Sequence, residues 1–128
     1  MRIGVLAQRT GTSVPTIRYY EEIGLLRRPA RSGGQRIYDQ EDVRRLAFVR
    51  RCRDFDYSIE EVRSLLSLMH GEKPCTEARD VAAEHLAGVR RKLVELKALE
   101  TAIASLVTEC DSSCAGGPAS DCVIFQIA

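Results

Sequence analysis

Five cysteines carry most of the reactive chemistry in this 128-residue sequence: Cys52, Cys75, Cys110, Cys114 and Cys122. Three of them crowd the C-terminal end with the spacing Cys110-x3-Cys114-x7-Cys122. Thiolates select soft or borderline ions such as Hg, Cd, Pb, Zn or Cu(I). A loop of this spacing can fold round a small ion, with Gly116, Gly117 and Pro118 supplying the turn chemistry. No His lies in that loop, so a pure sulfur shell is expected. Cys75 stands at the start of a predicted helix, where the positive dipole end favours thiolate. A structural zinc site and a thiol redox switch using Cys110 and Cys114 are the competing readings of the cluster.

Other reactive side chains read more plainly. Cys52 sits alone at helical spacing and is expected to be a core thiol. His70 is expected to cap a helix end at the surface, and His85 to hold a polar position on a long helix. No Ser/Cys–His–Asp set, phosphate loop or open metal site emerges, so an enzyme is not expected. The N-terminus Met1-Arg2-Ile3-Gly4 lacks the apolar stretch of a signal peptide. No apolar run approaches the roughly 20 residues of a membrane span. A cytoplasmic protein with reduced thiols and no membrane partner is the expectation.

The net charge of +1 hides a split. Residues 1–53 hold 12 Arg, no Lys and 5 acids, a net +7, whereas residues 54–128 carry 7 basic and 13 acidic residues, a net −6. A basic half made only of Arg suits phosphate and base contacts, because the guanidinium fork binds oxygens in pairs.

The elements that must position these groups follow from caps and periodicity. Ile3-Gly4-Val5-Leu6-Ala7 predicts a short helix closed by Gly11. Ser13 is the expected N-cap of a second helix with Pro15 in its first turn, ended by Gly24. Two short helices across a tight turn make a helix-turn-helix. Arg31 to Tyr38, with Gly33-Gly34 at its centre, predicts a β-hairpin or wing. Asp39 is expected to cap a helix over 40–53, and Ser58-Ile59-Glu60-Glu61 is a capping-box pattern opening a helix to about Met69. From Thr76 to about Thr108, Ala82, Leu86, Val89, Leu93, Leu96, Leu99, Ile103 and Leu106 recur in steps of three and four. That near-heptad stripe predicts a long coiled-coil helix. A lone amphipathic helix of this length wants a partner, most simply its own copy. The tail 111–121 reads as a loop, and the apolar end 123–127 is too short to be stable unless docked.

The long helix separates Cys75 from Cys110 by 35 residues, about 50 Å at ~1.5 Å per residue. Within one chain the two cannot share an ion. In an antiparallel coiled-coil dimer, the start of one helix meets the end of the other. Cys75 of one subunit then lies beside Cys110, Cys114 and Cys122 of the second, giving two equivalent clusters as twofold symmetry requires.

Gly4-Val5-Leu6-Ala7, the run Val14-Pro15-Thr16-Ile17-Arg18-Tyr19-Tyr20-Glu21-Glu22-Ile23-Gly24-Leu25-Leu26 and Arg36-Ile37-Tyr38 resemble the MerR family of bacterial transcription regulators. The resemblance covers nearly the whole chain, and from Cys75 through Ala83-Glu84-His85-Leu86 to the Cys-rich tail it matches the heavy-metal branch. It implies a mainly α fold: a winged helix-turn-helix head (1–70), a linker (71–75), an antiparallel dimerisation helix (76–109) and a metal-binding loop with C-terminal tail (110–128). It also implies a homodimer on double-stranded promoter DNA that untwists an over-long promoter spacer for RNA polymerase when inducer binds. By the same resemblance, Ser13, Thr16, Arg18, Tyr19 and Tyr20 belong to the DNA-reading helix, with Arg31, Arg36 and Tyr38 of the wing on the backbone.

In the mercury-responsive members three cysteines from two subunits bind the ion, and Cys75, Cys110 and Cys122 match them. Zinc-responsive members carry extra loop ligands, and Cys114 sits where one could reach. Copper-responsive members use two loop cysteines spaced as Cys114 and Cys122 are, with Ser at the Cys75 position. The presence of Cys75 therefore favours a divalent ion (Hg, Cd, Pb or Zn) over the Cu(I) alternative, and the tail departs from the tighter cysteine spacing of the superoxide-responsive, iron–sulfur members.

Overall fold

The computed structural model describes residues 1–126. Ile127, the last apolar residue of the expected docking tail, lies outside the described residues. The chain divides into two compact units, Met1–Ala82 and Ala83–Ala128.

In the first unit, α1 (Ile3–Thr10) and α2 (Val14–Glu22) form the expected helix-turn-helix. The Ser13 hydroxyl accepts the Thr16 backbone N–H at 3.3 Å, and Pro15 lies in the first turn, where an N–H has no helical partner to lose. Strands β1 (Ala30–Ser32) and β2 (Gln35–Ile37) pair antiparallel, with Arg31 opposite Arg36. Gly33 and Gly34 turn the hairpin at φ 58° and 80°. A two-residue loop whose twist matches its strands needs positive φ at both positions, which side chains resist. Helix α3 (Gln40–Asp54) starts at Asp39, and the cap is reciprocal: Asp39 accepts the Asp42 N–H, and Asp42 accepts the Asp39 N–H. Helix α4 (Ile59–Leu68) opens on the Ser58–Glu61 capping box.

The three-to-four-residue periodicity of these helices converges on one core: Leu6 from α1, Ile17 and Tyr20 from α2, Leu46, Val49 and Cys52 from α3, and Val62 and Leu66 from α4. Cys52 is buried as expected. Leu46 is fully buried, and a Leu removed from such a position costs the transfer energy of its methyls plus the cavity left behind. Leu46→Ala is expected to destabilise the head by about 2–5 kcal/mol, read as a lowered denaturant midpoint with little change in slope.

Helix α5 (Thr76–Ser113) continues five residues beyond the expected end near Thr108. Thr108–Ser113 contains no Gly or Pro, and the Ser112 and Ser113 hydroxyls donate to the Glu109 carbonyl at 3.2 and 2.6 Å. Cys110, read from sequence as the first loop residue, is therefore on the helix, and the loop begins after Ser113. The apolar stripe of α5 is uncovered. Leu86, Leu93, Leu96, Leu99 and Ile103 are all exposed, and no residue of the helix is buried. Two short 3-10 turns, Ala119–Asp121 and Val123–Phe125, follow.

Candidate nucleic-acid interface and metal centre

Two sites stand out, one in each unit. In the head, a cleft of about 470 Å³ is lined by Arg18, Glu21, Glu22, Arg28, Pro29, Arg31 and Arg36. Helix α2 supplies one wall and the hairpin the other. Glu21 joins them: its Oε1 accepts the Arg36 guanidinium at 3.2 Å and the Tyr38 hydroxyl at 3.0 Å. The Glu21 carboxylate is nearly buried, so both donors compensate its desolvation. Burial first, and Glu21 second, push the Tyr38 phenol up, which keeps it a proton donor. A second clamp holds the base of the hairpin. Arg27 Nε donates to Asp42 and its Nη2 to both oxygens of Asp39, all at 2.8 Å. The backbone around Asp42, the Arg27 guanidinium and the neighbouring Asp42 carboxylate hold the Asp39 carboxyl below the usual carboxylate range.

The residues expected at DNA divide into two groups. Ser13, Arg18, Tyr19 and Arg31 are exposed, with Thr16 and Arg36 half-buried on the same helix and wing. Ser13 is engaged as the helix cap, and Arg31 donates to the Gly34 carbonyl across the turn. Tyr20 and Tyr38 are both buried in the head core, Tyr38 at 3% exposure. Adjacent helical residues point about 100° apart, so with Tyr20 turned inward Tyr19 stands in solvent at 51% exposure.

Glu21 and Arg28 escaped the sequence reading. Glu21 follows the buried Ile17 by four residues, and that spacing signals an inward-facing carboxylate needing partners. Arg28 gave no comparable signal. The charge reading also needs dividing. Arg45 donates to the Leu25 carbonyl and Arg50 to that of Gly11, so part of the +7 ties segments of the head together, and Arg63 of the second half does the same at the Ile23 carbonyl. Glu21→Ala is expected to cost the head about 1–3 kcal/mol, because the buried Tyr38 hydroxyl loses its partner. It should also weaken operator binding although Glu21 is itself repelled by phosphate. A gel-shift titration beside a thermal melt reads both.

In the second unit, the sulfurs of Cys110, Cys114 and Cys122 all lie within 4.8 Å of one another. Cys122 Sγ is 3.5 Å from Cys114 Sγ and 3.5 Å from Cys110 Sγ. Cys110 projects from the last turn of α5. Cys114 follows one helical turn on, its N–H bonded to the Cys110 carbonyl at 3.1 Å. Gly116, at φ 83°, reverses the chain, and the turn Ala119–Asp121 returns Cys122 to the helix end, where it is buried. The thiols do not titrate alike. Hydrogen bonds to Cys122 and then Cys114 push Cys110 up to about 12. The Val123 backbone N–H, then Cys122, hold Cys114 below the usual thiol range.

The donor set fits a thiophilic ion. Three sulfurs on a tetrahedral shell with bonds of ~2.3 Å stand roughly 3.8 Å apart, close to the spacing here. Cys75 is exposed, immediately before α5. His70 is at the surface as expected, but its Nε2 meets Glu41 at 2.7 Å rather than a helix carbonyl.

Residues 1–68 match the family described as MerR HTH family regulatory protein, and residues 43–106 that described as MerR, DNA binding. The chain is 39% identical to the HTH-type transcriptional regulator HmrR of Rhizobium leguminosarum bv. viciae, covering 98% of this chain and 95% of that one. It is 39% identical to the mercuric resistance operon regulatory protein of Shigella flexneri, covering 86% and 76%. The crystal structure of the transcription regulator PbrR691 from Ralstonia metallidurans CH34 in complex with lead(II) superposes with a TM-score of 0.85 at 41% identity, covering 98% of this chain and 97% of that one. The chain belongs to the MerR family of helix-turn-helix regulators, and the similarity runs to that family's heavy-metal-responsive branch.

Proposed function

We propose that the protein is a homodimeric, metal-responsive transcriptional regulator that binds promoter DNA and activates transcription when it takes up a divalent thiophilic ion. The observation that carries this is the convergence of three cysteine sulfurs at the end of a helix whose apolar stripe is uncovered. Two copies of α5 packed antiparallel bury that stripe and bring Cys75 of the partner subunit to the Cys110–Cys114–Cys122 cluster. Four thiolates from two chains then hold the ion, which is Hg(II), Cd(II), Pb(II) or Zn(II) and acts as inducer rather than as a reacting centre.

The head reads DNA by a division of labour. Helix α2 enters the major groove with Thr16, Arg18 and Tyr19 towards bases and phosphates, capped by Ser13. Arg28, Arg31 and Arg36 hold the backbone, and Tyr20, Tyr38 and Glu21 fix the angle between helix and wing. Arg31 and Arg36 stand opposite one another on the hairpin. Like charges so placed repel in the free protein, and a phosphate relieves them. Ion uptake orders the cysteine loop and docks the apolar tail, of which Ile124 and Phe125 are exposed here. Docking shifts the two heads, distorts the promoter and lets RNA polymerase engage it. The ion drives this because it binds the two dimer states with different affinity.

Cys110 must surrender a firmly held proton to bind, so uptake releases protons and affinity falls as pH falls. Zinc titrations in two buffers of different ionisation enthalpy measure that release. The reading as a whole is tested by promoter activation across Hg, Cd, Pb, Zn, Cu and Ag salts. Activation by one or more divalent ions supports it, and a response to Cu and Ag alone overturns the divalent assignment.

A further inference from the structure

The same three sulfurs have a second chemistry when no ion is bound. Cys122 Sγ is equidistant from its two neighbours, at 3.5 Å from each. A disulfide needs sulfurs about 2.05 Å apart and Cβ atoms about 3.5–4.5 Å apart. Cys110 and Cys114 are related by one helical turn, bonded through their backbones. Side chains so related on a helix keep Cβ atoms about 5–6 Å apart, too far to join without unwinding the last turn of α5. Cys122 has no such restraint. It lies between two short turns, on a segment that leaves the helix end through Gly116 and Gly117. An approach of about 1.5 Å by that segment brings its sulfur to bonding distance of either neighbour.

We infer that the cluster is an oxidation site at which a hydroperoxide forms an intrachain disulfide that always includes Cys122, paired with Cys114 or Cys110. One thiolate attacks the peroxide, the O–O bond breaks, and a sulfenic acid and water form. The neighbouring thiolate then attacks that sulfur, the S–S bond forms, and the S–O bond breaks to release a second water. Two thiols lose two electrons and two protons, and one peroxide becomes two waters. Cys110 and Cys114 are partly exposed, so the peroxide reaches the cluster, whereas Cys52 is buried in the head and serves as an internal control. The disulfide leaves a single thiol in the cluster. Oxidation therefore blocks ion uptake, a consequence that rests on the metal-responsive reading; the disulfide itself does not.

The test treats the reduced, metal-free full-length protein with one equivalent of hydrogen peroxide. Free thiols under denaturing conditions should fall from five to three per chain, and peptide mapping should place the bridge at Cys114–Cys122 or Cys110–Cys122. Cys122→Ser should form no intrachain bridge, while Cys110→Ser, Cys114→Ser and Cys75→Ser each still form one. A Cys110–Cys114 bridge, a bridge between chains through Cys75, or the loss of no thiols overturns the inference. Zinc uptake should vanish on oxidation and return with dithiothreitol. If the bridge forms but the reduced protein binds no zinc, the metal reading fails and the oxidation site stands. If zinc binds and no bridge forms, the reverse holds.

Discussion

Cys75→Ser is expected to abolish induction by divalent ions while the protein keeps its operator binding. Cys75 precedes α5 and is exposed, remote in sequence from Arg18, Arg31 and the other residues of the head cleft. Its replacement removes nothing from the DNA face. The three sulfurs of the cluster all remain, so an ion still binds, though less tightly. What disappears, on the proposed shared site, is the one ligand that would cross between subunits. An ion held by a single chain binds every arrangement of the two heads equally well, and a ligand with equal affinity for two states shifts neither, however tightly it binds. Binding and response should therefore separate: zinc is still taken up, and the promoter stays silent. Isothermal titration of the variant beside a reporter assay measures the two. A variant that responds at wild-type ion concentrations removes Cys75 from the site.

The second large effect is at the operator. Arg18 is exposed on α2 and lines the cleft between that helix and the wing. Arg18→Ala should lower operator affinity by about 1–3 kcal/mol and relax discrimination at the base it faces. Arg28→Ala should behave differently, weakening operator and unrelated DNA alike. It should flatten the salt dependence by roughly 0.9 in the slope of log affinity against log salt, as expected for one lost phosphate contact. Binding isotherms for both variants across a salt series distinguish a reader of bases from a holder of phosphates. If both change only the slope, Arg18 does not face a base.

The head was legible in the sequence because its signals are local. Ser13 before Val14-Pro15, the Gly33-Gly34 pair, Asp39 and the Ser58–Glu61 box each fix an element boundary through one or two hydrogen bonds within four residues. The buried face of α2 was half legible. An adjacent pair of tyrosines must split, but which one turns inward depends on Ile17 and the packing of α1 and α3, which are tertiary facts. The roles of Glu21 and Tyr38 depend on contact across 17 residues, between α2 and the wing. A basic stretch read as one DNA-facing charge likewise hides arginines that bond backbone carbonyls elsewhere in the head, as Arg45 and Arg50 do.

At the other end, cysteine spacing announced a sulfur cluster but not its geometry. Helix propensity carries α5 past Cys110 to Ser113, so two of the three sulfurs are set by helical spacing and the third is brought back by a glycine turn. That arrangement moves the reactive thiol pair away from Cys110 and Cys114, the pair suggested by proximity in sequence, to Cys122 and either neighbour. The uncovered stripe of α5 was foreseen from its heptad steps, and its exposure in a single chain is what makes a second copy the economical partner.

A mixed dimer tests the sharing of the site between two chains most directly. One subunit carries Cys75→Ser and the other Cys122→Ser, and each homodimer is measured beside the heterodimer. If each ion is held by Cys75 of one subunit and the cluster of the other, the heterodimer regains one intact site, from the Cys122→Ser subunit's Cys75 and the other subunit's full cluster. It should then activate the promoter in response to a divalent ion where neither homodimer does. If the ligands come from one chain, they are Cys110, Cys114 and Cys122, which the Cys75→Ser subunit keeps whole; activation by the Cys75→Ser homodimer itself, or a heterodimer as silent as both homodimers, would contradict the shared site.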